Sequence, residues 1–286
     1  MTTREPVVAG IQLCSTDDLE ANLDAAASGL RRARELGAEL AVLPENFACY
    51  GGDYRAVAET RGAQLEQWLA DQARALDMAI IGGTLPLRYR PDGTEVPAPR
   101  VRAACRVFDA DGTDLGRYDK LHLFDADLAD ARGRYRESDV FEPGDALQLV
   151  EVAGLRVGLA VCYDLRFPAL ARTLVDRGAE LLVYPSAFTE VTGSAHWSVL
   201  LRARAVETGC FVLGVGQTGH HGGQRQSHGH SLLADPWGEV ETALDADTGV
   251  LAARLDLARQ AEIRHRLPVH QHRRLGVTLP DDIQSH

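Results

Sequence analysis

The sequence predicts a layered α/β fold in one domain, two sheets packed face to face with helices outside each. Three observations carry this. An internal repeat divides the chain into two similar halves, with strands outnumbering helices around both copies, and no linker or low-complexity segment interrupts the 286 residues. In the repeat, Gly10-Ile-Gln-Leu-Cys14 is echoed by Gly158-Leu-Ala-Val-Cys162. Downstream, Gly37-Ala-Glu-Leu-Ala-Val-Leu-Pro-Glu-Asn-Phe47 is echoed by Gly178-Ala-Glu-Leu-Leu-Val-Tyr-Pro-Ser-Ala-Phe188.

Each copy reads as strand, helix, glycine stop, strand. In the first, the apolar run Val7–Leu13 is a strand and Ser15–Asp18 supplies capping side chains. Leu19, Leu23, Ala26, Leu30 and Ala33 then recur at helical spacing until Gly37. In the second, Pro168 suits a helix's first turn, Leu170, Leu174 and Val175 mark its buried face, and Gly178 ends it. Between the copies, Ala79–Leu85 and Val101–Phe108 read as strands, and the proline-containing stretch Arg88–Arg100 as a hairpin excursion. After them come a helix over His196–Thr208 and strands at Cys210–Val215, Ser231–Ala234 and Glu239–Thr242, the last two joined by the turn Asp235-Pro-Trp-Gly238. A tail is expected from about residue 275.

Composition narrows the function. A net charge of −11 and a pI near 5.4 argue against a nucleic-acid partner, which needs a basic face. The short basic stretches Arg31–Arg34 and His270–Arg274 read as solvated surface. No apolar run approaches the ~20 residues of a membrane span, and the N-terminus lacks the features of a signal peptide. A cytoplasmic location is expected. The five cysteines, at 14, 49, 105, 162 and 210, have no paired spacing and do not resemble a disulfide framework.

The repeat serves as an internal control on those cysteines. Cys14 and Cys162 end equivalent strands. Cys14 is followed by Ser-Thr-Asp-Asp, a plain helix cap, whereas Cys162 is followed by Tyr-Asp-Leu-Arg-Phe-Pro, which delays the helix and sets Asp164 and Arg166 beside the thiol. Strand ends of this kind, with their exposed backbone N–H groups, are where α/β sites form. Cys162 is thus either a nucleophile or a buried structural thiol. Glu45 follows an apolar strand, where its counterpart is Ser186. A carboxylate there is an ion-pair partner or a general base. Lys120 sits in an alternating, extended stretch that by itself reads as surface.

Together these stretches resemble one family. Leu43-Pro-Glu-Asn-Phe47, Tyr118-Asp-Lys-Leu-His-Leu-Phe124 and Gly158-Leu-Ala-Val-Cys-Tyr-Asp-Leu-Arg-Phe-Pro168 are similar, in order, to the three signature blocks of the nitrilase superfamily, and the likeness runs through Arg274. The resemblance implies a four-layer αββα sandwich of two pseudo-symmetric halves carrying a Glu–Lys–Cys triad. By position, Cys162 is the nucleophile, Glu45 the general base and Lys120 the cation meeting the oxyanion, aided by the backbone N–H of Tyr163. A second family glutamate matches Glu137 rather than Glu142. The reaction implied is hydrolysis of a small carboxylated amide to acid and ammonia through a cysteine thioester, without metal or cofactor, in a homodimer or larger homo-oligomer.

Thr192–Trp197, Leu200–Glu207 and Gly229–Gly238 further resemble the deaminated-glutathione amidase branch and the neighbouring ω-amidases, with the first closer across Pro185–Phe188 and Gln217–His221. N-carbamoyl amide hydrolase and nitrilase activities are alternatives. Arg166 is expected either to bind a substrate carboxylate or to pair with an acid such as Asp164. His196 and Trp197, opening their helix, are expected to line the pocket or to serve as cap and core. The glycine-rich loop Gly219–Gly229 and the stretch Phe47–Gly52 depart from the family pattern and are expected to shape the substrate mouth.

Three rival readings fit the sequence less well. His220, His221, His228 and His230 are numerous enough for zinc, but no acid or cysteine lies within their cluster. A papain-like Cys–His pair leaves Glu45 and Lys120 unexplained. A catalytically idle binding or scaffold protein has no structural need for Glu45, Lys120 and Cys162 together.

Overall fold

The repeated stretches form two βαβ units in a computed structural model that describes residues 5–130, 132–276 and 283–285. In the first, strand Val7–Gln12 leads through helix Leu19–Glu35 to Leu40–Val42, which it pairs in parallel at Val8 and Leu40. In the second, Leu155–Leu159 leads through helix Pro168–Asp176 to Leu181–Ser186, pairing Val157 with Leu181. Asp18 caps the first helix by accepting from Ala21 N at 3.1 Å, and Pro168 opens the second. Gly37 and Gly178 follow these helices with φ of 83° and 103°, a left-handed turn that a side chain would strain.

Each unit nucleates a seven-stranded sheet. The first runs Gly249–Arg254, Val7–Gln12, Leu40–Val42, Ala79–Ile81, Arg102–Phe108, Leu85–Leu87, with Asp114–Asp119 also paired to Arg102–Phe108. The second runs Val240–Ala243, Leu232–Ala234, Phe211–Gly216, Leu181–Ser186, Leu155–Leu159, Ala146–Val152, Gln284–Ser285.

Strand side chains alternate between faces, and here both faces are buried. Val8, Val42, Ile81 and Val107 of the first sheet share a core with Val157, Leu159, Val183 and Leu213 of the second. On the other side of the first sheet, Ala9, Ile11, Ala41 and Ile80 pack against Leu23, Leu30, Leu65 and Leu69 of two helices. Leu174, Trp197, Leu201 and Ala205 cover the second sheet in the same way. The result is the four-layer αββα sandwich of two halves.

Two expectations are corrected. The strand over Ala79–Leu85 is two strands, Ala79–Ile81 and Leu85–Leu87. Gly83 breaks it at φ 55°, where an added Cβ would stand 2.0 Å from the Pro44 carbonyl oxygen. The helix expected from His196 begins at Glu190, capped by Thr189, whose hydroxyl accepts from Thr192 N at 3.2 Å. His196 and Trp197 therefore lie well inside it, and the local signals of a first turn were misplaced by six residues. Of the tail from about 275, residues 277–282 and 286 lie outside the described residues, while Gln284–Ser285 pairs in parallel with Ala146–Leu147. Among the described residues, no helix is long and apolar enough to cross a membrane.

Candidate active site

Glu45 sits just past strand Leu40–Val42, in a loop held from several sides. Asn46 donates its backbone N–H to the Thr84 hydroxyl at 2.8 Å, and Gln217 Nε2 donates to the Glu45 carbonyl at 3.0 Å. Gln217 also donates to Ser15 Oγ, so the loop is tied to the first strand's end. The glycine break at Gly83 is what lets the Thr84 segment approach this closely.

Lys120 follows strand Asp114–Asp119, its N–H bound to the Ala103 carbonyl and its carbonyl to Gly144 N. The side chain is 2% exposed. Its Nζ donates to Glu45 Oε1 at 2.7 Å and to both Glu137 carboxylate oxygens at 2.7 and 2.9 Å. Glu137, in the short turn Glu137–Asp139, also accepts from the Phe124 N–H. Glu142, the alternative on spacing, points elsewhere and pairs with Arg90 at 2.7 Å and Arg102 at 2.8 Å. Burial works against the Lys120 ammonium, yet the Glu137 and Glu45 carboxylates outweigh it and hold the lysine firmly charged. Burial raises Glu137 above the usual carboxylate range, with Lys120 opposing it and Glu45 adding to it.

Cys162 opens the turn Cys162–Arg166 at φ 48°, a left-handed conformation unusual for a side-chain-bearing residue. Asp164, fully buried, holds that turn. Its carboxylate accepts from Val161 N at 2.8 Å, from the Tyr118 hydroxyl at 2.7 Å and from His122 N at 3.0 Å. His122 Nδ1 lies 2.6 Å from the same carboxylate, and its ring stacks on Phe167 at 3.6 Å. Asp164 thereby joins the cysteine turn to the Tyr118–His122 segment that carries Lys120. Burial, then the Glu45 charge, pushes the Cys162 thiol well above its usual range, against the opposing pull of Lys120. The thiol at rest is protonated. Cys14, its counterpart in the repeat, is exposed, and its thiol lies 3.3 Å from the His220 carbonyl.

Glu45, Lys120, Glu137 and Cys162 all line one cavity of about 120 Å³. Cys162 also borders a smaller cavity of about 20 Å³, walled by Tyr163, Arg166 and Phe188. The arrangement provides a thiol, a carboxylate that can take its proton and a fixed ammonium, all shielded from bulk water.

The other expected residues divide. Arg166 does not pair with Asp164, whose oxygens are taken. Its Nη1 lies 3.1 Å from His196 Nδ1, and its guanidinium packs over Phe188 at 5.1 Å and Tyr163 at 5.7 Å. His196 is exposed, and Trp197 is a core residue donating Nε1–H to the His230 carbonyl at 2.7 Å; neither lines the two cavities. Both are removed from the pocket because their helix starts earlier than expected, which turns His196 outward and Trp197 onto the sheet. The four histidines divide: His221 turns to the Ser15 carbonyl, while His228 faces Glu190 and packs its ring on His230 at 4.3 Å. Sequence reasoning singled out the stretches 47–52 and 219–229 but not the cavity residues within them, Tyr50 and Arg225, nor Tyr54 beyond. Their signal was only aromatic and cationic side chains in otherwise small-residue loops.

Comparison with known proteins decides the family. The model of the carbon-nitrogen hydrolase family matches residues 7–265. The chain belongs to the carbon–nitrogen hydrolases. This hydrolase is 37% identical to the deaminated glutathione amidase of Yersinia enterocolitica, covering 95% of this chain and 94% of that one. It is 36% identical to the ω-amidase NIT2 of Bos taurus, over 92% and 93% of the two chains. Among solved structures it resembles a mutant amidase from Nesterenkonia sp. AN1 with a TM-score of 0.75 and 26% identity, over 95% and 98% of the chains. In that protein the acetamide moiety of fluoroacetamide is covalently added at the active-site cysteine. The chain is accordingly a hydrolase of carbon–nitrogen bonds.

Proposed function

We propose that this hydrolase cleaves a small carboxylated amide through a thioester on Cys162, with Glu45, Lys120 and Glu137 as its partners. The observation that carries the reading is the Lys120 ammonium, bonded at 2.7 Å to both Glu45 and Glu137 on the wall of a cavity shared with Cys162. Nothing in the fold requires three buried charges there, and burying them is costly.

A thiol held protonated needs its proton removed as it attacks. Glu45 takes that proton while Sγ bonds to the carbonyl carbon. The carbonyl oxygen becomes negative and is met by Lys120 Nζ and the Tyr163 backbone N–H. One such donor is typically worth about 3–4 kcal/mol at the transition state. Glu45 then returns the proton to the amide nitrogen, the carbon–nitrogen bond breaks, and the amine leaves with the acyl group on sulfur. A water molecule, deprotonated by Glu45, attacks the thioester, and release of the acid restores the thiol. Glu137 keeps Lys120 charged and aimed. Arg166, over Phe188 in the smaller cavity, binds a substrate carboxylate, with His196 as its outer prop.

Deaminated glutathione is the substrate class we favour, because the Yersinia relative so named matches nearly the full length of both chains. The second reading, an ω-amidase, rests on the almost equal likeness to the Bos taurus protein. The chain is further read as a homodimer. Helix Glu190–Thr208 exposes Val191, Val199 and Val206 on one face, to 45%, 59% and 49%. Turnover of both substrates by wild type and by Cys162→Ala tests the chemistry: the variant should fold and release no product. Full activity in that variant would refute it.

A further inference from the structure

Gln217 stands where the two sheets touch. It follows strand Phe211–Gly216 of the second sheet and forms a parallel bridge with Leu13, which follows strand Val7–Gln12 of the first. Thr218 N–H donates to the Leu13 carbonyl at 2.8 Å, and Gln217 N–H to the Ser186 carbonyl at 2.8 Å. The Gln217 side chain is withdrawn completely from water, and both ends of its amide are bonded. Oε1 accepts from Ser15 N–H at 3.0 Å, while Nε2 donates to Ser15 Oγ at 2.9 Å and to the Glu45 carbonyl at 3.0 Å.

The loop that carries Glu45 needs such restraint. Residues 43–50 belong to neither helix nor strand, and Asn46 sits at φ 56°, a conformation that side-chain-bearing residues seldom take. Its course is therefore set by bonds from outside. Ser15 passes on the hold of Gln217 by donating Oγ–H to the Phe47 carbonyl at 2.8 Å. Glu45 is thus gripped at both ends, its carboxylate by Lys120 and its backbone carbonyl by Gln217. A group that must take a proton and return it tolerates little displacement: an error of about 1 Å can cost roughly a hundredfold in rate.

The repeat gives this contact its meaning. Ser186 is the counterpart of Glu45, so Gln217 holds the carbonyls of both equivalent positions, one through its backbone and the other through its side chain. Gln12, equally buried nearby, holds none of this loop: it accepts from Ser231 and donates to the Asp245 and Asp247 carbonyls. We infer that Gln217 is a positioning residue for the general base, by which the second half of the molecule fixes Glu45 of the first at the reach its proton transfers need. The inference rests on the reading of Glu45 as that base and goes beyond it in placing control of the base in the opposite sheet.

The test compares single-turnover acylation of the enzyme by glutaramate and by mono-p-nitrophenyl glutarate, in wild type, Gln217→Glu, Gln217→Met and the control Gln12→Met. Acylation by the amide uses Glu45 twice, to take the thiol proton and to give it to the departing nitrogen. p-Nitrophenolate leaves without a proton, so the ester uses Glu45 once. General acid–base catalysis is worth about 10²–10⁴ in rate. Gln217→Glu keeps an acceptor for Ser15 N–H and loses the donors. It should slow acylation by the amide about a hundredfold and by the ester about tenfold, with the half-saturating concentration little changed. Gln217→Met should lower the amide-to-ester ratio in the same direction, while Gln12→Met should lower the melting temperature and leave the ratio at its wild-type value. An unchanged ratio in the folded Gln217 variants, or an equal shift in Gln12→Met, overturns the inference while leaving the amidase reading intact. Failure of both Gln217 variants to fold overturns it as well, by making the residue a structural one. Failure of wild type to form an acyl-enzyme from the amide overturns both.

Discussion

Lys120 is the residue on which the site depends, because it neutralises two buried carboxylates at once. Lys120→Met leaves Glu45 and Glu137 facing one another without a counter-charge, and should cost about 3–5 kcal/mol of stability in denaturant titration as well as turnover. Glu137→Gln removes half of that restraint. It should lower kcat, leave KM nearly unchanged and keep the thioester chemistry, as read by single-turnover kinetics. Cys162 makes a pH prediction. Its thiol is raised above the usual range, so the reactive thiolate is the minor form throughout the neutral range and grows as pH rises. In a Cys14→Ala background, alkylation at Cys162 should climb about tenfold per pH unit from 7 to 9 with no plateau. A plateau near pH 7 would contradict the protonated resting state. His221, which burial lowers to about 4, adds a stability prediction. Its depressed value means stability present above the unfolded pKa of about 6.5 and lost as pH falls toward 4, by uptake of close to one proton on unfolding. His221→Asn should flatten that slope in pH-dependent denaturation.

Among the elements, the turn Cys162–Arg166 starts from a left-handed cysteine, and Asp164 is what holds it. Asp164→Asn leaves one oxygen to accept but cannot take donors on both sides. It should lower kcat on every amide by a similar factor, and a thermal melt should show a modest loss. A loss confined to one substrate would instead place Asp164 in substrate binding. The sequence made much of this legible. The repeat exposed the two βαβ units, and the contrast between Cys14 and Cys162 marked the right strand end, because the residues after a strand decide whether a helix or a turn follows. Glu45 and Lys120 were not legible locally, since a strand-end carboxylate and a lysine on an extended segment are each consistent with bland roles. They meet only through contacts 75 residues apart. His196 and Trp197 were misplaced because the apolar spacing of their helix does not show where its first turn begins, a point settled by the Thr189 cap.

The whole molecule joins two halves that have diverged in opposite ways. One strand end became exposed Cys14 and the other the buried site, while the loops around Tyr50 and Arg225 reach across from both halves to close the mouth. The exposed valine face of helix Glu190–Thr208 belongs to this scale too. Val199→Glu should shift the sedimentation profile from dimer to monomer, and an unchanged profile would place the interface elsewhere. The central claim is the covalent intermediate, and acid-quenched turnover followed by peptide mass spectrometry tests it most directly. The account predicts the acyl group of the substrate, without its amine, on the peptide containing Cys162. Steady turnover with that peptide unmodified, or an acyl group on another residue, would contradict it.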